Sequence, residues 1–350
     1  MAPDIRDIDV IAPNLKRRLS GVTATIVRLV PLQAGMIGIA ATGPGLPAHV
    51  PQIPLPRLFL MPRNRCRVWH ARRNTEMLLG LILKHVFRRK LKLLFTSASQ
   101  RRHSGYTKWL IGRMDGVIAT SQKTAAYLKR PADVILHGID TDGFSPPGDR
   151  AALRRGLGLP EDHVIMGCYG RIRAQKGTDA FVDAALALLP DRPNVTALVM
   201  GRATEGHDGF LSGLKEKAAA AGLADRIRFL PEVPVHAIAD WYRILDLYVA
   251  PQRWEGFGLT PIEAMACGVP VVATRVGAFE EIVADGTGAL VPPDDIPMLT
   301  AAIAPYLGDA GLRQASGQAA LARVYDAFRI GREAEAIVAV YRRLLAGETR

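Results

Sequence analysis

The chain has 350 residues, 49% of them hydrophobic and 22% charged, with a formal net charge of +12. That size and balance fit about two globular domains with packed cores. Residues 29–56 carry no formal charge, but Pro31, Pro44, Pro47, Pro51, Pro54 and Pro56 exclude one continuous membrane-spanning helix there. Cys66, Cys168 and Cys267 are odd in number, far apart and without CxxC spacing, which excludes a disulfide framework or a thiolate metal centre and points to a reduced, cytoplasmic setting. The opening Met1-Ala2-Pro3-Asp4 lacks the basic patch and apolar run of a secretory signal.

Two series of short apolar strands alternating with helical segments follow one another. The first predicts strands at 9–13, 36–41, 67–70, 91–96, 116–120 and 133–136. Helices are expected between them at 23–32, 75–87, 106–114 and 123–128, with an irregular Pro-rich stretch at 43–62. Residues 137–150, with Gly138, Gly143, Pro146, Pro147 and Gly148, have the composition of a linker. The second series predicts strands at 164–169, 195–200, 227–230, 247–250 and 270–274. Its helices are expected at 178–189, 210–221, 236–242 and 261–266, and an amphipathic helix at 330–345 ends the chain. Alternation of this kind builds parallel sheets through βαβ crossovers. The expected division is 1–145, rejoined by a terminal helix at about 326–350, and 146–325. Ligands of such sheets sit beyond the carboxyl ends of the strands, so chemistry is sought in a cleft where two such edges face each other.

Charge divides as the domains do. Residues 1–136 hold 23 Lys/Arg and 6 Asp/Glu, a balance of +17; the remainder holds 22 and 27, a balance of −5. A basic half meets something anionic: nucleic acid, an anionic membrane surface or a phosphorylated acceptor, unless it is merely a solvated surface. The run 77–83 followed by Lys84, Arg88, Arg89, Lys90 and Lys92 reads either as a core helix with a solvated end, the slightly better reading, or as an interfacial helix beside a basic patch.

The candidate chemistry lies in the second half. Gly170-Arg171-Ile172-Arg173-Ala174-Gln175-Lys176-Gly177 follows one predicted strand and precedes a helix. It places Arg171 and Lys176 at a carboxyl edge, where a planar fork and a point charge suit a diphosphate. The spacing is neither a Walker A loop nor GxGxxG. Glu255-Gly256-Phe257-Gly258-Leu259-Thr260-Pro261 follows another strand. Thr260 before Pro261 reads as a helix N-cap, and Thr260-x-x-Glu263 as a capping box. Gly256 and Gly258 let backbone approach a ligand, and free amides at the helix start favour an anion. Glu255 is the acid at the mouth of the expected cleft.

With Gly277-Ala278-Phe279-Glu280-Glu281-Ile282-Val283, these segments resemble glycosyltransferase family 4, of GT-B architecture and retaining stereochemistry. Glu255 and Glu263 match that family's E-x7-E signature. The resemblance implies two Rossmann-like domains. It implies that Gly170, Arg171 and Lys176 bind the donor diphosphate and that Glu255 contacts the transferred sugar. Phe257, Gly258, Leu259 and Thr260 would wrap sugar and phosphate, Glu263 would bind the ribose hydroxyls, and Leu230 and Val233 would line the base. The chain departs from the family pattern at Ala278, at Glu280 and at His137, where a second glycine, a proline and an asparagine are usual.

In the first half, Lys16-Arg17-Arg18-Leu19-Ser20-Gly21 matches the family's Gly-containing loop near donor phosphates and acceptor. His70, in Val68-Trp69-His70-Ala71-Arg72-Arg73-Asn74, is expected at a strand end facing the cleft, with His103 a second candidate. Lys16, Arg17, Arg72, Arg73 and His103 form the expected acceptor side. These stretches resemble mannosyltransferases of the bacterial lipopolysaccharide core, which implies GDP-mannose as donor and an anionic lipid-linked glycan as acceptor. Arg171, Lys176 and the amides of 257–260 would meet the leaving-group charge, so neither cofactor nor metal is expected, and the place expected is the cytoplasm or the cytoplasmic face of the inner membrane. A UDP-sugar donor, a nucleic-acid-binding module and a sugar-nucleotide epimerase are the rival readings, although no basic run is interleaved with aromatics as nucleic acid would require.

Overall fold

The computed structural model describes residues 4–17 and 21–348. Arg18, Leu19 and Ser20 of the loop expected near the donor lie outside the described residues, as do Met1, Ala2 and Pro3 of the signal-peptide reading. In chain order the first elements are β1 (Val10–Pro13), α1 (Gly21–Gln33), β2 (Ile39–Thr42), a 3-10 helix (Leu55–Leu60), β3 (Arg67–Ala71), α2 (Asn74–His85) and β4 (Leu91–Ser97). Next come α3 (Gly105–Ile111), β5 (Gly116–Ala119), α4 (Gln122–Ala126) and β6 (Asp133–Val134). Then follow α5 (Arg150–Gly156), β7 (Val164–Tyr169), α6 (Thr178–Leu188), β8 (Val195–Met200), α7 (Asp208–Ala220) and β9 (Ile227–Leu230). The rest are α8 (Ile238–Arg243), β10 (Leu247–Ala250), α9 (Thr260–Ala266), β11 (Val271–Thr274), α10 (Phe279–Ile282), β12 (Gly288–Val291), α11 (Ile296–Gly308), α12 (Ala310–Ala327) and α13 (Ile330–Ala346).

The chain forms two compact units. One comprises Met1–Gly138 and Ile330–Arg350, the other Ile139–Arg329. Each is built on a six-stranded parallel sheet, in the order β2-β1-β3-β4-β5-β6 in the first and β12-β11-β10-β7-β8-β9 in the second. Strands such as β1, β3, β8 and β11 are buried along their whole length, as expected of parallel strands covered by helices on both faces.

In the first unit the two faces carry separate cores. Met77, Leu81, Leu83, Leu110 and Ile111, from α2 and α3, pack on Trp69, Leu93 and Phe95. Ile26, Leu29 and Val30 of α1 pack with Ile337, Val338, Tyr341 and Leu344 of α13 on the other face. Thus α2 packs on the core through one face, with Met77, Leu81 and Leu83 buried. The terminal helix is held by Glu333, whose carboxylate accepts from Gly138 N at 2.8 Å and meets His137 Nδ1 at 2.7 Å.

Several elements escaped the sequence reading: α5, β12, α10, α11 and α12. Three of the helices begin at an aspartate cap visible in the sequence: Asp149 accepts from Ala152 N, Asp295 from Met298 N and Asp309 from Leu312 N, each at 2.9 Å. Two further corrections concern local chemistry. The second strand begins at Ile39 rather than 36, because 34–38 complete the turn after α1. The N-cap of α9 is Leu259, which makes no side-chain cap; Thr260 is already helical, so its hydroxyl does not serve as the expected cap.

Candidate donor site at the carboxyl edge of the second sheet

In the second sheet β7 and β10 are neighbours, and the chain order runs outward from them in both directions. This is the switch point at which a doubly wound sheet opens a crevice beyond its strand ends. The loop after β7 holds Arg171 and Lys176; the loop after β10 holds Glu255.

The first loop is tied down over the sheet. Gly170 N donates to Met200 O at 2.9 Å, and Ile172 N to Arg202 O at 3.0 Å, with the Ile172 side chain buried. Gly177, at φ 68°, closes the loop as the cap of α6; a Cβ there would stand 1.9 Å from Pro251 O, so only glycine permits the approach. Arg253 staples the two loops. Its guanidinium grips both oxygens of Asp179, at 2.7 and 2.9 Å, and its backbone N donates to Gln175 O at 3.0 Å. The Asp179 hydrogen bonds hold the Arg253 pKa above its ordinary value.

Across this stapled junction Lys176 Nζ forms an ion pair with Glu255 Oε2, and Glu255 Oε1 accepts from Gly256 N at 3.0 Å. The pair is partly open, at 21% and 17% side-chain exposure. Arg171 is exposed, with no side-chain partner among the described residues, and Gly170 beside it is exposed as well. Gly258, at φ 91°, lies where a Cβ would come 2.2 Å from Phe279 Cε1. Phe257, the first residue of the loop expected to wrap sugar and phosphate, has its side chain buried, at 5% exposure. Leu259 and Thr260 are half-buried. Leu230, at the end of β9, and Val233 just beyond it are half-buried two strands from β7.

Glu263 stands in the first turn of α9 and accepts from Tyr242 Oη at 2.7 Å. Tyr242 is 1% exposed and packs among Tyr169 and Tyr248, with ring centroids 5.2 and 5.5 Å away. Burial, then the neighbouring Glu263, pushes its hydroxyl well above the ordinary tyrosine range, so it remains a hydrogen-bond donor. Tyr248 donates to Tyr169 O at 3.2 Å. Sequence reasoning assigned none of these tyrosines; the signal was a tyrosine on each of the two strands that end in motif loops. Cys168 and Cys267 are no nucleophiles, because burial pushes both thiols up to about 12.

The residues singled out in the first unit are placed differently. Its own switch point lies between β1 and β3. His70 does not stand open at a strand end. It is wholly buried, its Nδ1 2.6 Å from Tyr341 Oη and its Nε2 2.6 Å from Thr96 Oγ1. Burial and then Arg72 hold it well below 6.5, so it is a neutral structural link from β3 to β4 and α13. Arg72 is buried against His70 O at 3.3 Å. Arg73 is consumed by Glu76 at 2.6 Å, Asn14 at 3.0 Å and Thr23 at 3.2 Å. Both arginines therefore leave the expected acceptor side. Lys16, Arg17 and Gly21 are exposed. His103 is half-buried and lowered in pKa by burial, with Arg101 and Lys108 nearby; its Nε2 has no partner among the described residues.

Two parallel Rossmann-like α/β units are the architecture of GT-B glycosyltransferases, and the solved structures agree. HepE of Anabaena, crystallised with UDP, superposes with a TM-score of 0.82 at 20% identity, over 96% of this chain and 100% of that one. The C-terminal domain of a glycosyl transferase group 1 family protein (LpcC) from Francisella tularensis matches 55% of this chain and all of its own, at 33% identity and TM-score 0.51. The family model of glycosyl transferases group 1 matches residues 149–323. The lipopolysaccharide core biosynthesis mannosyltransferase LpsB of Rhizobium meliloti (strain 1021) is 55% identical over 98% of this chain and 99% of its own length. LpcC of Rhizobium leguminosarum bv. viciae, a mannosyltransferase of the same description, is 53% identical over 99% of each. The chain belongs to the group 1 glycosyl transferases.

Proposed function

We propose that the protein transfers mannose from GDP-mannose to the core sugars of a lipid-linked lipopolysaccharide precursor, with retention of configuration, at the cytoplasmic face of the inner membrane. The observation that carries the donor site is the Lys176–Glu255 pair spanning the β7/β10 switch point, with Arg171 unpartnered beside it. The sugar and acceptor are carried over from relatives whose full lengths this chain shares.

On this reading the donor diphosphate draws Lys176 from Glu255 and is gripped by Arg171. Negative charge grows on the diphosphate as the glycosidic bond breaks, and fixed cations favour that moment over the ground state. The two cations, with the backbone amides of 257–260, supply the charge that a metal ion would otherwise supply. Glu255, relieved of its partner, turns to the transferred sugar. Glu263 receives the ribose hydroxyls, oriented by the Tyr242 hydrogen bond. Gly170 admits the phosphates, and Leu230 and Val233 line the base. On the acceptor side the exposed Lys16 and Arg17 meet anionic groups of the glycan; His70 takes no direct part.

Thermal unfolding with GDP, UDP, ADP, NAD or a DNA oligomer tests the donor assignment. GDP at a hundredfold excess over its Kd should stabilise the wild type by about 2.7 kcal/mol, and Lys176→Ala should lose the shift. Stabilisation by UDP alone would replace the donor. No nucleotide shift, with salt-sensitive stabilisation by DNA, would overturn the enzyme reading in favour of a basic binding module. Proton NMR of the product anomer tests retention.

A further inference from the structure

The second sheet carries charged groups at both of its edges. The donor loops leave its carboxyl edge, and a cavity of about 430 Å³ lies at its amino edge, wholly within the second unit. Leu245 and Asp246, which lead into β10, and Pro270, which leads into β11, line it. A further wall is α12, whose Arg313, Gln314, Gly317 and Gln318 recur at the spacing of one helix face. Gly317 lets that helix close on the turn after α9: a Cβ there would stand 2.3 Å from Gly268 O. Arg150, the first residue of α5, lines the cavity as well. Its volume falls in the range of small-molecule sites.

Two arginines and one acid line this cavity, and the acid is already spent. Asp246 Oδ2 accepts from Arg154 Nη2 and from Ile165 N, both at 2.7 Å, while Oδ1 accepts from Arg150 Nη1 only at 3.3 Å. Backbone carbonyls hold both arginines in place. Arg150 Nε donates to Arg243 O at 3.0 Å, and Arg313 Nη1 to Tyr306 O at 2.7 Å. Each keeps an Nη2 with no partner among the described residues. Burial lowers the Arg150 pKa; Asp246 offsets this in part, and Arg154 and Arg313 deepen it. Gln314 and Gln318 are exposed beside them, and their amides can both donate and accept.

We infer that this cavity binds a small phosphomonoester bearing hydroxyl groups, of the size of a sugar phosphate. Such an ester carries close to two negative charges at neutral pH. That matches Arg150 and Arg313, since Arg154 has taken Asp246. Guanidinium forks fit phosphate oxygens, and the two glutamine amides suit hydroxyls. Pro146, Leu245, Pro270 and Leu321 offer apolar surface to the CH groups of a ring. Because backbone already holds the arginines, little side-chain freedom is lost on binding. The cavity shares no residue with the donor loops, which leave the other edge of the sheet, so it does not rest on the donor assignment.

Titration calorimetry of the full chain at neutral pH, with glucose 6-phosphate, inorganic phosphate, glucose and succinate as probes, tests it. Glucose 6-phosphate should bind with a Kd of about 1 mM or below, and each of the other three at least about fivefold more weakly. Arg313→Gln should weaken the ester at least about tenfold. Because Arg313 also holds a helix-end carbonyl, a second variant, Gln314→Glu with Gln318→Glu, changes exposed positions only and should weaken the ester about tenfold by placing like charge beside it. Arg171→Gln removes a cation at the donor edge and should leave the Kd within about twofold. No binding of the ester up to about ten times the expected Kd overturns the assignment, as does binding of inorganic phosphate, glucose or succinate as tight as that of the ester. So does an unchanged Kd in either folded cavity variant. Binding lost in Arg171→Gln and kept in the cavity variants would put the ester at the donor edge and overturn it too.

Discussion

The two sheets place an acid and a base at their switch points in contrasting ways. In the first, Arg73 and Glu76 are 11% and 0% exposed, and Glu76 also accepts from Arg72 N at 2.8 Å. Asn14, fully buried, joins the network through Arg73 and Thr23. In the second, Lys176 and Glu255 are 21% and 17% exposed, and Arg171 beside them is unpartnered among the described residues. A saturated buried pair fixes the turns after β1 and β3. A partly open pair can exchange partners with a ligand. Charge at a strand end thus becomes a structural clamp or a candidate binding group according to how many of its hydrogen bonds the fold already uses.

Substitutions can break this contrast. The largest effect is expected at Lys176→Ala, which should slow sugar transfer on the order of 10^3-fold while thermal unfolding of the ligand-free protein changes little. Transfer within a few-fold of wild type would remove Lys176 from the site. Glu76→Ala should act the opposite way, costing about 3 kcal/mol of stability in urea unfolding because Arg73 is left unpaired in the interior. An unchanged midpoint would show that the first clamp is dispensable.

A third test uses pH. His70 is held below the value it has in the unfolded chain, so the unfolded state binds the extra proton. Its contribution is full above about pH 6.5 and is lost as pH falls below that value, because only the unfolded chain then takes up the proton. Urea unfolding of wild type and His70→Gln at pH 7.5 and 5 should show a shallower loss in the variant. Identical slopes would mean that His70 titrates as an exposed histidine does. The smallest effect sharpens the second site: Tyr242→Phe removes the hydroxyl from Glu263 and should weaken donor binding by about 1 kcal/mol in calorimetry with the fold intact. Unchanged affinity would separate Glu263 from the donor.

Much of this is legible in the sequence. The loops ending in Lys176 and Glu255 stand out because each follows an apolar strand run and carries glycines where backbone must turn or approach closely. Asp149, Asp295 and Asp309 cap α5, α11 and α12 with a local signal that the sequence carries as plainly as the motif loops. His70, Arg72 and Arg73 could not have been sorted by sequence. Tyr341 and Thr96 lie 271 and 26 residues from His70, and Asn14 and Thr23 lie 59 and 50 from Arg73, whose third partner Glu76 is local.

By itself the sequence determined the alternation of strand and helix, the two-unit division, the basic character of the first half and the motif loops of the second. Those are local or compositional properties, set by side-chain periodicity, turn chemistry and net charge. Only the tertiary structure decided which charged groups are spent and which remain open, that Tyr242 orients Glu263, and that the Phe257 side chain is buried. Burial and hydrogen-bond saturation depend on residues brought together from distant parts of the chain, and no local pattern encodes them.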